Sequence, residues 1–205
     1  MQSLKKWGAA LGFIVVATSS AHAAQMCVGG SGSFGSVTVT RSGTCSDFGG
    51  TISGVSNGFI VSAVSTCSFA FSPAVPASQL SVKVVDVNDF DQVGFNLNGA
   101  SYTLVAGDID TTLTPPSSPG RLSLVSNQVT GLAAQAAGEG SISFTNSAPA
   151  TVSSLDVVKT GSGGVIGVVC FDAPATPVPT LNQWGTIIMA MMLGLAGFGA
   201  MRRRQ

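Results

Sequence analysis

The chain has 205 residues, of which 9% are charged, and its nine basic side chains balance nine acidic ones. Once the two terminal segments described below are set aside, four basic residues remain against all nine acidic ones, a formal charge of minus five. That balance excludes a nucleic-acid-binding surface. The only histidine, His22, lies in a terminal segment, so a Ser-His-Asp or Cys-His catalytic set and a histidine-based zinc site are excluded as well.

The first 23 residues have the organisation of a secretory signal peptide. Two lysines form a basic start, residues 9–17 are apolar, and residues 21–23 (Ala-His-Ala) form a small-x-small cleavage site. We expect cleavage before Ala24, because the apolar stretch is too short for a spanning helix. An uncleaved anchor is the alternative. Export would place residues 24–171 outside the cytoplasm.

Residues 24–171 alternate between apolar and polar side chains with the period of β-strands and show no helical periodicity. Strands are expected near 37–40, 59–64, 68–71, 80–84, 93–97, 102–104, 122–125, 142–144, 155–158 and 165–171. Short strands at this spacing predict an all-β fold, a single antiparallel β-sandwich of jelly-roll or immunoglobulin-like type. The last strand is apolar on both faces, so it should be central in its sheet.

Two Asn-Gly pairs predict tight hairpin turns. Asn98-Gly99 follows one alternating run and precedes another, which is a strong type I′ signal, and Asn57-Gly58 offers a second turn.

One sequence pattern occurs twice. Ser68-Phe69, Ser72, Ser78, Leu80 and Val82 recur 75 residues later as Ser143-Phe144, Ser147, Ser153, Leu155 and Val157. Equivalent hairpins in two halves of a sandwich would explain the recurrence, and chance in a serine- and valine-rich chain is the alternative.

The four cysteines, Cys27, Cys45, Cys67 and Cys170, indicate two disulfides in an exported chain. Three pairings are open. We favour Cys27 with Cys45 as a local link, and Cys67 with Cys170 to tie an early strand to the last one. A cysteine metal site is disfavoured, because no two cysteines have CxxC spacing.

The densest group of polar residues offers hard oxygen ligands of the kind that Ca²⁺ prefers. The candidate ligands are Asp86, Asn88, Asp91, Asp108 and Asp110. We favour the alternative that these are solvated turn and edge residues that discourage edge pairing. A glycosidase pair formed by these carboxylates is disfavoured, because nothing in the sequence marks one of them as buried. A Ser-Lys nucleophile using Lys83 or Lys159 is disfavoured too, because both lysines are expected to face water. No catalytic residues are predicted.

The end of the chain combines a short motif, an apolar segment and a basic stop. A Pro/Ala/Thr linker at 172–181 leads into a terminal segment at 182–205. From 185 to 201 the chain carries no charge, and as a helix it would rise about 25 Å, the short end of what spans a bilayer. Trp184 suits the headgroup level, and Arg202, Arg203 and Arg204 should stay cytoplasmic.

This tail resembles the IPTL-CTERM sorting signal of Gram-negative bacteria, whose pattern reads Ile-Pro-Thr-Leu-x-x-Trp-Gly. The matching residues are Pro179, Thr180, Leu181, Trp184 and Gly185, with Val178 in place of isoleucine. The resemblance implies that a membrane protease-transpeptidase of the exosortase type removes the helix and releases or re-attaches the ectodomain. A plain single-pass anchor is the alternative. The resemblance covers residues 178–205. It implies how the protein is exported and sorted, but it implies no biochemical activity.

Three functions follow as hypotheses. We favour a non-enzymatic structural or adhesive protein, made as an inner-membrane precursor with a periplasmic ectodomain and then displayed on the surface or secreted. The second is a lectin-like module that binds glycans or extracellular polysaccharide, with Ca²⁺ as its one candidate cofactor. The third, least favoured, is a secreted hydrolase.

Overall fold

The fold is all-β in the residues that the computed structural model describes, which are 25–110, 122–132, 138–172, Gly185 and 188–191. The strands in chain order are β1 (Gln25–Val28), β2 (Gly32–Phe34), β3 (Val37–Gly43), β4 (Cys45–Ile52), β5 (Val55–Ser62), β6 (Ser65–Pro76), β7 (Leu80–Val87), β8 (Val93–Leu97), β9 (Ala100–Ser101), β10 (Ile109–Asp110), β11 (Leu122–Val125), β12 (Gln128–Gly131), β13 (Gly138–Ser143), β14 (Thr151–Lys159) and β15 (Gly164–Asp172). Short 3-10 turns occupy Ala77–Gln79 and Ala106–Asp108. The prediction of an all-β fold is confirmed.

The strands form two antiparallel sheets. In the first sheet the order is β10-β13-β7-β15-β5-β4, with β1 also paired to β15. In the second sheet the order is β2-β3-β6-β14-β8-β12-β11, with β9 also paired to β8. β15 has β7 along one side and both β5 and β1 along the other, so the last strand is central, as its apolar sequence predicted.

The two sheets pack face to face on an aromatic and aliphatic core. Phe59 of the first sheet contacts Phe69 of the second, with ring centroids 5.1 Å apart, and Phe171 contacts Phe71 at 5.9 Å. All four rings are buried. Burial of each such side chain contributes about 1.5–3 kcal/mol, so this inner layer is the main source of stability.

Two disulfides are present, but the favoured pairing was wrong. Cys27 is bonded to Cys170, and Cys45 is bonded to Cys67, with Cα atoms 4.0 and 5.3 Å apart. β1 lies beside β15 in a register that places Cys27 directly opposite Cys170. Cys67 belongs to the core between the sheets, whereas Cys170 lies in a separate apolar cluster with Ile166. Because neighbouring side chains of a strand point to opposite faces, Cys170 cannot reach Cys67.

The Cys45–Cys67 bond joins the two sheets. Cys45 begins β4 in the first sheet, and Cys67 lies in β6 of the second. Gly43, at the end of β3, pairs with Cys67, and the Thr44 N–H donates to the Thr66 carbonyl at 3.0 Å. The chain therefore passes from one sheet to the other beside Cys67, which brings Cys45 within bonding distance.

The two predicted hairpin turns had opposite outcomes. Asn98 and Gly99 connect β8 to β9 with φ of +52° and +80°, so this type I′ prediction is confirmed. The Asn57-Gly58 prediction was wrong, because both residues lie inside β5 and the turn from β4 is made by residues 53–54. A Cβ on Gly58 would lie 2.6 Å from the carbonyl oxygen of Gly167, so glycine is needed there for close strand packing.

Each sheet contains strands from both halves of the chain, in equivalent places. The strands β3 to β8 can be matched in order with β10 to β15, so that β3 corresponds to β10, β4 to β11, and so on. The second sheet has the order β3-β6-β14-β8-β12-β11. Replacing each of these strands by its counterpart gives β10-β13-β7-β15-β5-β4, which is the order of the first sheet. The fold is therefore two tandem six-strand units that exchange strands, so that neither sheet can form from one unit alone.

Strand registers agree with this match. Ser81 of β7 pairs with Ser143 of β13, and Asp156 of β14 pairs with Ser68 of β6. The numbers 81 and 156 differ by 75, as do 68 and 143, which is the spacing of the recurring sequence pattern. The tight turns at 53–54 and 126–127 also share positive φ at both positions. Matching order, register and turns favour a structural repeat over chance.

Candidate functional site

The predicted calcium ligands are divided between separate parts of the structure. Asn88 approaches both neighbouring acids, because its Nδ2 donates to the Asp86 carbonyl at 3.5 Å and to Asp91 Oδ2 at 3.4 Å. Asp108 ends a 3-10 turn and has other partners, and Asp110 lies in β10. Within the described ranges, no three His, Cys, Asp or Glu side chains form a group that could hold a metal ion. Calcium binding stays the less favoured of the two hypotheses for these residues.

Asp86 is the acid of this group with a raised pKa. Partial burial raises the pKa of its carboxyl first, and the nearby negative charge of Asp91 raises it further.

Lys159 and Asp91 form a fully buried ion pair, which corrects two predictions. Lys159 was expected to face water and Asp91 to be a solvated turn residue, but both side chains are 0% exposed. Lys159 Nζ lies 2.9 Å from Asp91 Oδ1 and donates to the carbonyls of Gly161 at 2.6 Å and Ser162 at 3.3 Å. The pair therefore joins the β7–β8 loop to the β14–β15 loop.

The position of Lys159 in its strand explains its burial. Leu155, Val157 and Lys159 are alternate residues of β14, and all three are buried. Period-two alternation places alternate residues on one face of a strand. The alternation of residues 155, 157 and 159 in the sequence therefore indicated a buried side chain at 159. The prediction that Lys159 faces water followed the charge of the lysine instead.

Asp108 is the centre of a second buried network, which again corrects the expectation of a solvated acid. Its Oδ1 accepts hydrogen bonds from the Thr145 hydroxyl at 2.5 Å and the Thr145 N–H at 3.2 Å. Its Oδ2 accepts from the Tyr102 hydroxyl at 3.2 Å and the Val105 N–H at 3.0 Å. Burial alone would raise the pKa of Asp108, but these donors outweigh burial and the pKa lies below its ordinary value.

The Tyr102 hydroxyl links this carboxylate to the loop after β13. It accepts from the Asn146 N–H at 2.7 Å while it donates to Asp108. Burial is the largest cause that raises the Tyr102 pKa, so the neutral phenol is favoured. Protein donors thus occupy both oxygens of Asp108.

We expect Tyr102→Phe to destabilise the fold by about 1–3 kcal/mol, because it leaves the Asn146 N–H without its acceptor and removes one donor to Asp108. Asp108 has a lowered pKa when folded, so its contribution is present above its ordinary pKa and is lost as the pH falls through the folded value. Urea denaturation should therefore show the full difference at neutral pH and a smaller one in acid. An equal difference at both pH values would contradict the role given to the carboxylate.

Open clefts lie on the surface of the part of the chain that the structure describes. One, of about 450 Å³, is lined by Phe34, Asp47 and Phe48 and by several glycines. Arg41 Nη1 lies 2.7 Å from Asp47 Oδ1 and donates to the Gly29 carbonyl at 2.7 Å, so it ties the N-terminal segment to β4.

The second cleft, of about 390 Å³, lies on the second sheet and is richer in amides. The residues that line it are Gly94, Phe95, Asn96, Ser101, Ser126, Asn127, Gln128 and Val158. Asn96 Nδ2 donates to Asp156 Oδ2 at 3.3 Å, and Gln128 Nε2 donates to the Thr160 hydroxyl at 3.0 Å. Amide and hydroxyl groups from β8, β9, the β11–β12 turn and the start of β12 thus line this cleft.

The terminal segments lie almost entirely outside the described residues. Of the predicted sorting motif, the structure describes Gly185, which is helical and exposed, and residues 188–191 after it are helical and exposed too. The other motif residues, the three arginines and the predicted signal peptide at 1–23 are not among the described residues. Within the described ranges, no helix has the length and apolar character needed to cross a membrane.

Comparison with known proteins identifies the tail. Residues 176–203 match the family model of the IPTL-CTERM motif, so the resemblance drawn from the sequence is confirmed over this limited segment. The match indicates the C-terminal sorting signal of an exported protein, and two disulfides agree with export.

No curated protein and no solved structure matches the chain. The jelly-roll or immunoglobulin-like assignment of the two sheets therefore stays a prediction.

Proposed function

We propose that this chain is an exported structural or adhesive protein, tethered as an inner-membrane precursor and then processed at its tail by an exosortase-type enzyme for surface display or release. The observation that carries the proposal is the IPTL-CTERM match at 176–203, which begins shortly after the last strand ends at Asp172. The strands between Gln25 and Asp172 form the disulfide-bonded part of the chain, here called the sheet body. A sheet body followed directly by a sorting motif is the organisation expected of a domain displayed on the cell surface.

The spacing suits an enzyme that acts at the membrane surface. Between Asp172 and Val178 the chain can extend by at most about 3.3–3.6 Å per residue, or about 20 Å. The intervening residues are of Ala, Pro and Thr, a composition typical of extended, semi-rigid linkers. The motif can therefore stand clear of the sheet body while the body stays near the bilayer.

The described part of the tail supports membrane contact before processing. The helical residues Ile188, Met189 and Met191 are 51%, 59% and 61% exposed. Exposed apolar side chains in a group mark a surface that another phase or molecule covers. The three arginines at 202–204 would hold the far end of such a segment on the cytoplasmic side.

The proposal includes a body without enzyme activity. Three of the residues considered for catalysis have structural partners, since Lys159 is bound to Asp91 and Asp108 is bound by Tyr102 and Thr145. A nucleophilic lysine must be neutral and reachable by substrate, and Lys159 is fully buried among oxygen acceptors.

Mass spectrometry of the protein recovered from its native cells tests the processing step. We expect a mature chain that starts at Ala24 and ends within or just before the motif. Thr180→Ala should leave the tail attached and the protein in the membrane. Asn182→Ala is the matched control, because it changes a variable position of the motif and should be processed normally. Recovery of wild-type protein from the surface with residues 178–205 intact would refute the sorting role.

Glycan binding is the second candidate, favoured by the amide-lined cleft on the second sheet. Amide and hydroxyl groups that converge in a cleft are suited to hydrogen-bond sugar hydroxyls. Binding to a glycan array that disappears in Asn96→Ala/Gln128→Ala would support this candidate, and an array without signal would exclude it for the glycans printed. Thermal melts with Ca²⁺ and with a chelator test the calcium-dependent version, since a ligand of the native state raises the midpoint.

A further inference from the structure

Neither the sheet packing nor the proposed sorting route requires the buried contact of Lys159 with Asp91. Both side chains are 0% exposed and lie 2.9 Å apart. Two ions taken out of water lose more solvation than their attraction restores unless the geometry and the remaining hydrogen bonds are excellent. A reaction that removes both charges together is therefore favoured at such a place.

The two oxygens of Asp91 have different surroundings. Oδ2 accepts hydrogen bonds from the Asn88 N–H at 2.9 Å and from Asn88 Nδ2 at 3.4 Å. Oδ1 lies beside Lys159 Nζ, but the angles between them are not those of a hydrogen bond, and Oδ1 has no other hydrogen-bond partner among the described residues. The lysine nitrogen is thus in contact with the carboxyl group without hydrogen-bond alignment.

Backbone atoms enclose the pair. A Cβ on Gly163, where φ is +88°, would lie 2.8 Å from Asp91 Oδ1, and a Cβ on Gly161 would overlap the carbonyl oxygen of Phe90. Glycine at both positions lets the β14–β15 loop close over the carboxyl group. The loop also supplies the Gly161 carbonyl, which holds Nζ in place.

We propose that Lys159 and Asp91 condense in the folded protein to an intramolecular isopeptide bond. A proton passes from Nζ to Oδ1, which gives an amine and a carboxylic acid. Nζ then attacks Cγ, and the negative charge that develops on Oδ2 is stabilised by the two Asn88 donors. A second proton passes from Nζ to Oδ1, the Cγ–Oδ1 bond breaks, and one water leaves. The amide keeps one N–H, which can still donate to Gly161.

The reaction needs no external reagent. Its atoms balance within the pair, and the fold holds nucleophile and acceptor in contact, which replaces an encounter between separate molecules. The bond would join the β7–β8 loop of the first six-strand unit to the end of β14 in the second. It would lock together the two units that exchange strands, in addition to the two disulfides.

Tryptic peptides of the reduced, purified full-length protein test the bond. Trypsin cleaves after Lys83, Arg121 and Lys159, so an unlinked chain gives separate peptides 84–121 and 122–159. A linked chain gives peptide 84–121 joined to a peptide that starts at 122 and continues past Lys159, with a mass lower than their sum by one water. We expect the linked product in the wild type.

Lys159→Arg is the matched control, since it keeps the positive charge but lacks the amine, and it should give no linked product. The two native disulfides in this variant would show that it has folded. Cleavage after Lys159 in folded wild type, with peptides 84–121 and 122–159 at their unmodified masses, would overturn the proposal and leave the pair as a salt bridge only.

Discussion

Removal of the Cys27–Cys170 disulfide is expected to lower the free energy of unfolding by about 5 kcal/mol, the largest effect of any single cross-link in this chain. The two cysteines are 143 residues apart, so the bond restricts nearly all of the sheet body in the unfolded state. Alanine is the suitable replacement, because Cys170 is fully buried and a serine hydroxyl there would lack a partner. Chemical denaturation of Cys27→Ala/Cys170→Ala measures the effect.

The second disulfide provides a matched control. Cys45 and Cys67 are 22 residues apart, so the same loop-entropy argument gives about 3 kcal/mol for Cys45→Ala/Cys67→Ala. The order of the two losses is the sharper part of the prediction, because it depends on loop length rather than on an absolute value. If Cys45→Ala/Cys67→Ala is the more damaging change, the bond between the sheets matters through the native state and the loop-entropy explanation is wrong.

The features of the sheets that depend on neighbouring residues in the sequence could be predicted. Alternation identified β3, β7, β8 and β14, among others, but the strand expected near 102–104 was wrong, because the strand after the turn ends at Ser101. The apolar residues 165–171 predicted a central strand because both faces of β15 are covered. Asn98-Gly99 identified its turn because the flanking residues pair immediately, with Leu97 opposite Ala100. These features depend on neighbours in the sequence, which a single chain displays.

Disulfide pairing and one turn could not be predicted because they depend on register. Whether Cys27 meets Cys45 or Cys170 is decided by the placement of β1 beside β15, more than a hundred residues away. Asn57-Gly58 carries the same local turn signal as Asn98-Gly99, but at Gly58 the requirement is for space next to Gly167. Local chemistry alone cannot separate these two uses of glycine.

The exchange of strands between the two six-strand units explains why the long-range strand pairing is hard to predict from the sequence. Each sheet takes strands from both six-strand units, so nearly every central neighbour is distant in the chain, such as β7 with β15 and β6 with β14. The 75-residue recurrence was visible in the sequence, but only the equal registers at Ser81–Ser143 and Asp156–Ser68 separate it from chance. The buried Lys159–Asp91 contact depends on this same exchange.

Asp91→Ala is expected to be strongly destabilising, because it leaves the Lys159 ammonium buried without its counter-ion. Breaking a buried pair on one side typically costs about 3–5 kcal/mol, whereas replacing both members by apolar groups removes the uncompensated charge. Asp91→Ala/Lys159→Met should therefore be more stable than Asp91→Ala alone by about 3–5 kcal/mol. Chemical denaturation of the two variants under identical conditions measures this difference.

Comparing these two variants isolates the buried charge. Neither can form a bond between residues 91 and 159, so any loss of a covalent link cancels in the difference between them. Lys159→Met alone should cost less than Asp91→Ala, because Asp91 Oδ2 keeps its two donors from Asn88. If the double variant is no more stable than Asp91→Ala, the carbonyls of Gly161 and Ser162 must satisfy the ammonium by themselves. Asp91 would then be needed only to position its loop.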